Sequence, residues 1–184
     1  YLGGNWKSVV MGSGGAGEPG LFMLDVTKPE QFGANKVMWD ITAAEEPDLG
    51  RVRGAGYIGS VKYNANGKWV ALVPNGYESA NSRAVLLVID AETGQTLKKF
   101  DTCKKFDGAD IGAVAQGGRC DGSKANRNGL GSVSVVFDAN RNIVGAYSGD
   151  YQGNLWKFDF SSSDPSKWKI ATLDPNDGSN NTPA

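Results

Sequence analysis

A short pattern, a hydrophobic strand that ends in aspartate, occurs three times along this chain. The clearest copy covers residues 147–160, which read as strand, tight turn and strand, with Asp159 at the strand end. Looser copies end at Asp25 and Asp90, so the three aspartates stand at nearly equal intervals. Self-similarity at a fixed period indicates an array of like structural units, and it constrains the fold more than any other feature of the sequence.

Each repeat reads as a series of short antiparallel strands. In the middle repeat, apolar or alternating stretches predict strands at residues 59–63, 68–73, 85–89 and 95–102. Residues 64–67 are predicted to form the first turn of this repeat, because Asn66 and Gly67 make the dipeptide that most strongly indicates a hairpin. Residues 85–89 are uniformly apolar, so both faces of that strand should be covered.

The repeats predict an all-β chain that is a fragment of a β-propeller, with about three four-stranded antiparallel blades. Residues 5–42 would form a first blade that is incomplete because it lacks its opening strand, residues 56–102 the second blade and residues 130–173 the third. Residues 103–127 read as an insertion loop. Because a propeller needs at least about four blades to close, we expect the remaining blades to come from a longer chain.

Composition excludes several function classes. A formal net charge of −1 gives no electrostatic basis for binding nucleic acid or an acidic membrane surface. The absence of histidine excludes a Ser–His triad and argues against zinc chemistry. No apolar run is long enough to span a bilayer. The five tryptophans lie on or beside predicted strands, where packing between blades is favoured over a stacking platform.

The two cysteines, Cys103 and Cys120, flank a polar, glycine-rich segment of the insertion loop. We predict a disulfide between them, which is typical of periplasmic or extracellular proteins. The alternative is a pair of free thiols in a cytosolic protein. A disulfide that closes a loop of this size contributes about 3 kcal/mol to folding stability in the chain-entropy model.

Asp138, Asn140 and Asn142 place oxygen-bearing side chains at alternate positions, as at the start of a calcium-binding loop. Asp150 is the carboxylate that would complete such a site if the loop folded back. Ile143 stands where a calcium loop has its glycine, and the closing carboxylate is missing. The pattern therefore favours the alternative, an Asx-rich hairpin turn in which these side chains bond to their own backbone.

Two further motifs favour structure over chemistry. Residues 12–17 match the dinucleotide-binding pattern GxGxxG, but another strand is predicted after them, whereas the pyrophosphate would need the start of a helix. The recurring Asp25, Asp90 and Asp159 are predicted to form turns, because an active site needs a distinct group instead of the same group in every blade. No residue is predicted to be catalytic or cofactor-binding.

Residues 66–77 with 87–94, residues 147–159, and residues 6–10 with 20–27 together resemble the C-terminal propeller of the PilY/PilC family of type IV pilus tip and biogenesis proteins. The resemblance implies a modified propeller, export through the periplasm, and a location at the pilus tip or outer membrane. It implies support of pilus assembly against retraction and a contribution to adhesion. It also implies a calcium loop, here at residues 138–146 and shorter than in the family.

We therefore expect a non-enzymatic protein that binds partners through three loops, at residues 12–20, 74–83 and 103–120. The expected partners are the rest of its own chain, minor pilins and a host-cell surface. One alternative is a periplasmic quinoprotein-type propeller, a PQQ-dependent dehydrogenase, which the turn at residues 90–94 suggests. Another is a scaffold propeller of outer-membrane assembly. Calcium is the cofactor that the sequence suggests.

Overall fold

The computed structural model describes residues 1–64, 66–103 and 127–173. These residues form strands and three short 3-10 helices and contain no α-helix, which confirms the all-β class. The strands are β1 Val9–Ser13, β2 Gly20–Asp25, β3 Val37–Thr42, β4 Tyr57–Tyr63, β5 Asn66–Pro74, β6 Val85–Asp90, β7 Thr96–Asp101, β8 Leu130–Phe137, β9 Asn142–Asp150, β10 Leu155–Asp159 and β11 Lys169–Thr172. Within these ranges, no helix has the length and apolarity needed to cross a membrane.

The strands follow one another as antiparallel meanders. β1, β2 and β3 form a three-stranded sheet, the first blade. β4 to β7 form the second blade and β8 to β11 the third, each with four consecutive antiparallel strands. Strands that follow one another in sequence pair readily, because closing the loop that connects them costs little entropy.

The second and third blades are joined into one eight-stranded sheet, whereas the repeats predict separate blades. The joint is a short parallel pairing of Ser60 with Asn142 and of Val61 with Ile143. β9 begins at Asn142, before its pairing with β10 starts at Gly145, so its first residues can pair with β4. The Ser60 hydroxyl adds a hydrogen bond to Asn142 Oδ1 at 3.2 Å.

Two hydrophobic cores lie on opposite faces of the second blade. Strand side chains alternate between faces, so Val70 and Leu72 of β5 pack toward the third blade, while Ala71 and Val73 pack toward the first. All residues of β6 are buried, including the uniformly apolar residues 85–89 that were predicted to be covered on both faces. Burial of a single such side chain stabilises the fold by about 1.5–3 kcal/mol, so packing between blades is the main source of stability here.

A tryptophan of the first blade docks into the second. Trp39 is buried on β3, and its indole N–H donates to the Ala91 carbonyl at 3.1 Å. Gly94 ends the same turn with φ +76°, and a Cβ atom there would lie 2.7 Å from the Trp39 ring. Glycine is therefore required both for the backbone conformation and for the closeness of the indole.

The repeated aspartates form turns, as predicted. Asp25 accepts the Thr27 N–H at 3.0 Å, and Asp90 accepts the Glu92 N–H at 2.8 Å. Asp159 accepts the Ser161 N–H at 2.8 Å. Each carboxylate thus accepts from a backbone donor at the turn between the last two strands of its blade.

Two local predictions are correct only in part. The predicted turn at residues 64–67 is shorter in the structure, because Asn66 and Gly67 lie within β5, where Asn66 pairs with Tyr63, and Asn64 adopts the turn conformation with φ +52°. Asparagine tolerates this left-handed conformation. In addition, Trp6 is 78% exposed and Trp69 37% exposed, so neither fills a core between blades, unlike the buried Trp39, Trp156 and Trp168.

Candidate functional site

Two of the three loops predicted as a binding surface, at residues 12–20 and 74–83, meet at one end of the blades. Strands of a meander alternate in direction, so β1, β5 and β9 all end there, and β2, β6 and β10 begin there. Connections 14–19, 75–84 and 151–154 therefore lie at the same end, together with the linkers that lead into β4 and β8. Of the predicted loop 103–120, only Cys103 lies within the described residues.

A buried asparagine holds these loops together. Asn75 is fully buried, and its Nδ2 donates to the carbonyls of Asp48 and Arg83, both at 2.8 Å. Its Oδ1 accepts the backbone N–H groups of Val85 at 3.0 Å and Leu130 at 3.1 Å. One side chain thus connects the linker before β4, the loop between β5 and β6, and the first residue of β8.

Backbone contacts bring the linker before β4 against the loop after β5. Arg51 N–H donates to the Tyr77 carbonyl at 2.6 Å. Gly76, which directly precedes Tyr77, has φ +68°, and a Cβ atom there would lie 2.1 Å from the Arg51 carbonyl oxygen. This close approach positions Tyr77 beside the start of the third blade.

Two tyrosines from neighbouring blades line a depression at this end. Tyr77 and Tyr151 each follow the second strand of their blade, and their rings meet edge to face with centroids 5.3 Å apart. Two cavities, of about 160 Å³ and about 310 Å³, are both lined by these tyrosines. We name the surface formed by Arg53, Tyr77, Glu78, Arg127 and Tyr151 the tyrosine cleft.

Glu78 is held between two arginines at one side of the tyrosine cleft. Its carboxylate lies 2.8 Å from Arg51 Nε and 3.5 Å from an Arg127 guanidinium nitrogen. Arg51 also donates to the carbonyls of Ala16 and Gly17, which attaches the glycine-rich loop of the first blade to this group. Glu78 has φ +60°, an uncommon conformation for a non-glycine residue.

Arg53 and Tyr151 offer polar groups at the side of the tyrosine cleft opposite Glu78. The Arg53 guanidinium lies over the Tyr77 ring, 5.1 Å from its centroid. Across residues 1–64, 66–103 and 127–173, no carboxylate lies within ion-pair distance of Arg53. Partial desolvation, with the nearby Tyr77 as a smaller cause, raises the pKa of the Tyr151 hydroxyl further above neutral, and this hydroxyl is protonated at neutral pH.

Asp150 forms the floor of the cleft, and its carboxylate already has many donors. It accepts the N–H groups of Gln152 at 3.0 Å and Asn154 at 2.9 Å. It also accepts the side-chain amides of Asn128 and Asn154 and the Trp156 indole N–H, each at 2.9 Å. The motif Gly149–Gly153 is thus a turn built around one carboxylate, which orients the neighbouring Tyr151.

Asp138, Asn140 and Asn142 come together as a hairpin turn. Asp138 Oδ1 accepts the N–H groups of Asn140 and Asn142, both at 2.9 Å, and Lys62 Nζ lies 3.1 Å from Oδ2. These hydrogen bonds, that of the Asn142 N–H above all, hold the pKa of Asp138 at about 2. Both carboxylate oxygens have partners, and one of them is a cation, so the arrangement fits a turn and does not fit a calcium ion as it stands.

Asp150 is not near that turn. Asn142 begins β9 and Asp150 ends it, which separates them by about 25 Å at the usual rise per residue. Across the described ranges, no three His, Cys, Asp or Glu side chains are grouped to hold a metal. The Asx-rich turn stays the favoured prediction for residues 138–142, and a calcium loop stays its alternative.

Cys103 is buried and is not a free thiol. Its predicted partner, Cys120, lies outside the described residues. The pairing of Cys103 with Cys120 therefore stays a prediction.

Sequence reasoning missed Asn75, Arg53 and the pairing of Tyr77 with Tyr151. One signal was present for the tyrosines, since both follow the second strand of a blade and such positions share one end of the array. No comparable signal marks Asn75 or Arg53, because their partners lie in other segments of the chain.

Comparisons with known proteins agree on one family. The family model of the PilY1 beta-propeller domain matches residues 1–184. A type IV pilus biogenesis factor PilY1 homolog of Xylella fastidiosa is 38% identical over 95% of this chain. Type IV pilus biogenesis factor PilY1 of Pseudomonas aeruginosa is 35% identical over 100% of it. The chain spans only 11% and 13% of the lengths of these two relatives.

The fold comparison gives the same result. The crystal structure of the Pseudomonas aeruginosa PilY1 C-terminal domain superposes with a TM-score of 0.68 and 37% identity. The match covers 87% of this chain and 28% of that domain. Together with the meanders described above, this confirms that the chain is part of a β-propeller.

Proposed function

Because the chain belongs to the PilY1 beta-propeller domain family, we propose that it forms part of a type IV pilus biogenesis factor and acts by binding instead of catalysis. The observation that carries the proposal is the meeting of loops from all three blades at one end, where the tyrosine cleft opens. Rigid sheets that present loops at one end are a common architecture for recognition.

The proposed mechanism has two parts. The packed blades provide a rigid body, because a hydrophobic core packs against each face of the second blade, on both sides of β6. The loops then contact minor pilins or the remainder of the same protein, which supports pilus assembly and opposes retraction. Contact of the same end with a host-cell surface would give adhesion.

The proposed location is the pilus tip or the outer membrane, after export through the periplasm. The predicted disulfide between Cys103 and Cys120 supports this location, because such bonds persist in oxidising compartments. The Cys103 thiol is not free, which is consistent with such a disulfide.

A deletion strain tests the function. We expect loss of the full-length protein to reduce the number of pili, twitching motility and surface adhesion, and we expect the wild-type gene to restore all three. Normal values of all three in the deletion strain would refute the proposal. Absorbance from a bound quinone in the purified full-length protein would instead support the dehydrogenase alternative.

A further inference from the structure

We propose that the tyrosine cleft binds a peptide carboxylate that is flanked by an apolar or aromatic side chain. The inference rests on the proposed function, in which this end of the propeller meets a protein partner, and it names the chemical group that is recognised. The carboxylate belongs either to an Asp or Glu side chain or to a chain terminus of the partner.

Arg53 is the group that would bind the carboxylate. It is exposed, and its guanidinium carbon lies over the Tyr77 ring, 5.1 Å from the centroid, a contact that restricts where the guanidinium can lie. Because Arg53 is exposed, this contact leaves guanidinium N–H groups available to a ligand. A planar fork of donors matches a carboxylate in two parallel hydrogen bonds, and prior orientation reduces the entropy lost on binding.

The two carboxylates that line the tyrosine cleft, those of Asp150 and Glu78, already have other partners. Asp150 is occupied by neutral donors from Gln152, Asn154 and Trp156. Glu78 is occupied by arginines on both sides. Counted together, Arg51, Arg53 and Arg127 outnumber the carboxylates of Glu78 and Asp150 by one, and this excess of positive charge complements an acidic ligand.

The tyrosines define the apolar part of the ligand. Tyr151 is 61% exposed, and its edge-to-face contact with Tyr77 leaves ring surface open to a partner. Tyrosine is enriched at protein interfaces because it offers a large apolar ring with a polar tip. The larger cavity, of about 310 Å³, is at the lower end of the range for ligand pockets, which suits one large side chain beside a carboxylate.

Fluorescence anisotropy with the full-length protein tests the ligand class. Three pools of labelled hexapeptides rich in Phe and Leu are compared: one with a fixed central Asp and an amidated C-terminus, one with Asn in its place, and one with Asn and a free C-terminal carboxylate. We expect the first or the third pool to bind at least roughly tenfold more tightly than the second, in line with the strength of charge-assisted hydrogen bonds. The pool that binds identifies the source of the carboxylate. Equal binding of all pools, or no saturation below about 1 mM, would overturn the proposal.

Variants of the full-length protein test the site. We expect Arg53→Gln to weaken binding of the carboxylate pool roughly tenfold and Arg53→Lys to restore only part of it, because an ammonium lacks the planar fork. Arg141→Gln is the matched control, since Arg141 also stacks on an aromatic ring, that of Phe137 at 6.0 Å, but lies at the opposite end of the blades. Unchanged binding in Arg53→Gln, or an equal loss in Arg141→Gln, would contradict the proposal.

The two proposals can fail separately. Loss of peptide binding in Arg53→Gln supports the ligand class whatever the phenotype of the strain. A deletion strain with normal pili, twitching and adhesion counts against the proposed function alone. Absence of peptide binding together with a deletion phenotype overturns the ligand class alone.

Discussion

Replacing Asn75 with alanine should destabilise the protein strongly. The side chain is fully buried and makes four hydrogen bonds, to the carbonyls of Asp48 and Arg83 and to the N–H groups of Val85 and Leu130. Alanine removes all four bonds and leaves backbone groups in a site that water reaches poorly. Each buried group without a partner costs about 1–3 kcal/mol, and partial relaxation reduces the sum, so we expect a loss of about 3–5 kcal/mol.

Urea unfolding of the protein, followed by tryptophan fluorescence, measures this loss as a change in the free energy of unfolding. Asn81→Ala is the matched control, because Asn81 lies in the same loop and donates to Asp48 Oδ1 at 2.6 Å but is exposed. We expect that control to lose less than about 1 kcal/mol. A similar small loss in both variants would show that Asn75 does not connect the loops energetically.

Three further predictions concern the turns. Gly94→Ala should reduce the free energy of unfolding by about 2 kcal/mol or more in urea titrations, because φ is +76° and the new Cβ would meet the Trp39 ring; a neutral result would contradict the docking geometry. The pKa of the Asp138 carboxyl is about 2 in the folded protein, below the ordinary value for aspartate. Its contribution to stability is therefore present above the unfolded pKa and is lost as pH falls toward 2. Thermal unfolding between about pH 5 and pH 2 should therefore show a weaker pH dependence in Asp138→Asn than in the wild type, and an identical dependence would refute the role of this turn. Calorimetric titration of calcium should show no binding tighter than about 10⁻⁴ M at residues 138–142, since Lys62 occupies the carboxylate at 3.1 Å, and a tighter site that Asp138→Asn abolishes would contradict this.

Strand positions could be predicted from the sequence because the signal is local. Residues 85–89 were expected to be covered on both faces, and β6 is buried throughout. The turn of the first hairpin was predicted two residues too long because two adjacent turn signals overlap there. Asn66 and Gly67 form the stronger turn dipeptide, but Asn64 supplies the left-handed residue, and pairing of Asn66 with Tyr63 sets the register.

The tyrosine cleft could not be predicted in the same way. Arg53, Tyr77 and Tyr151 come from a linker and from loops of two blades, and no short pattern connects them. The predicted calcium residues were grouped by sequence spacing, and the structure separates Asp150 from the others by the full length of β9. Spacing along the chain therefore identified the turn at Asp138 but not the surface that the loops build together.

The parallel pairing between β4 and β9 has a consequence for the order in which the blades unfold. Backbone hydrogen bonds run without a break from β7 to β11, whereas the first blade forms a separate sheet and joins the second mainly by packed side chains. Cooperative opening units tend to follow such boundaries. The second and third blades should therefore open as one unit in native-state hydrogen exchange, and the first blade should detach at a lower free energy. Because the pairing joins residues far apart in sequence, it should also form late in folding.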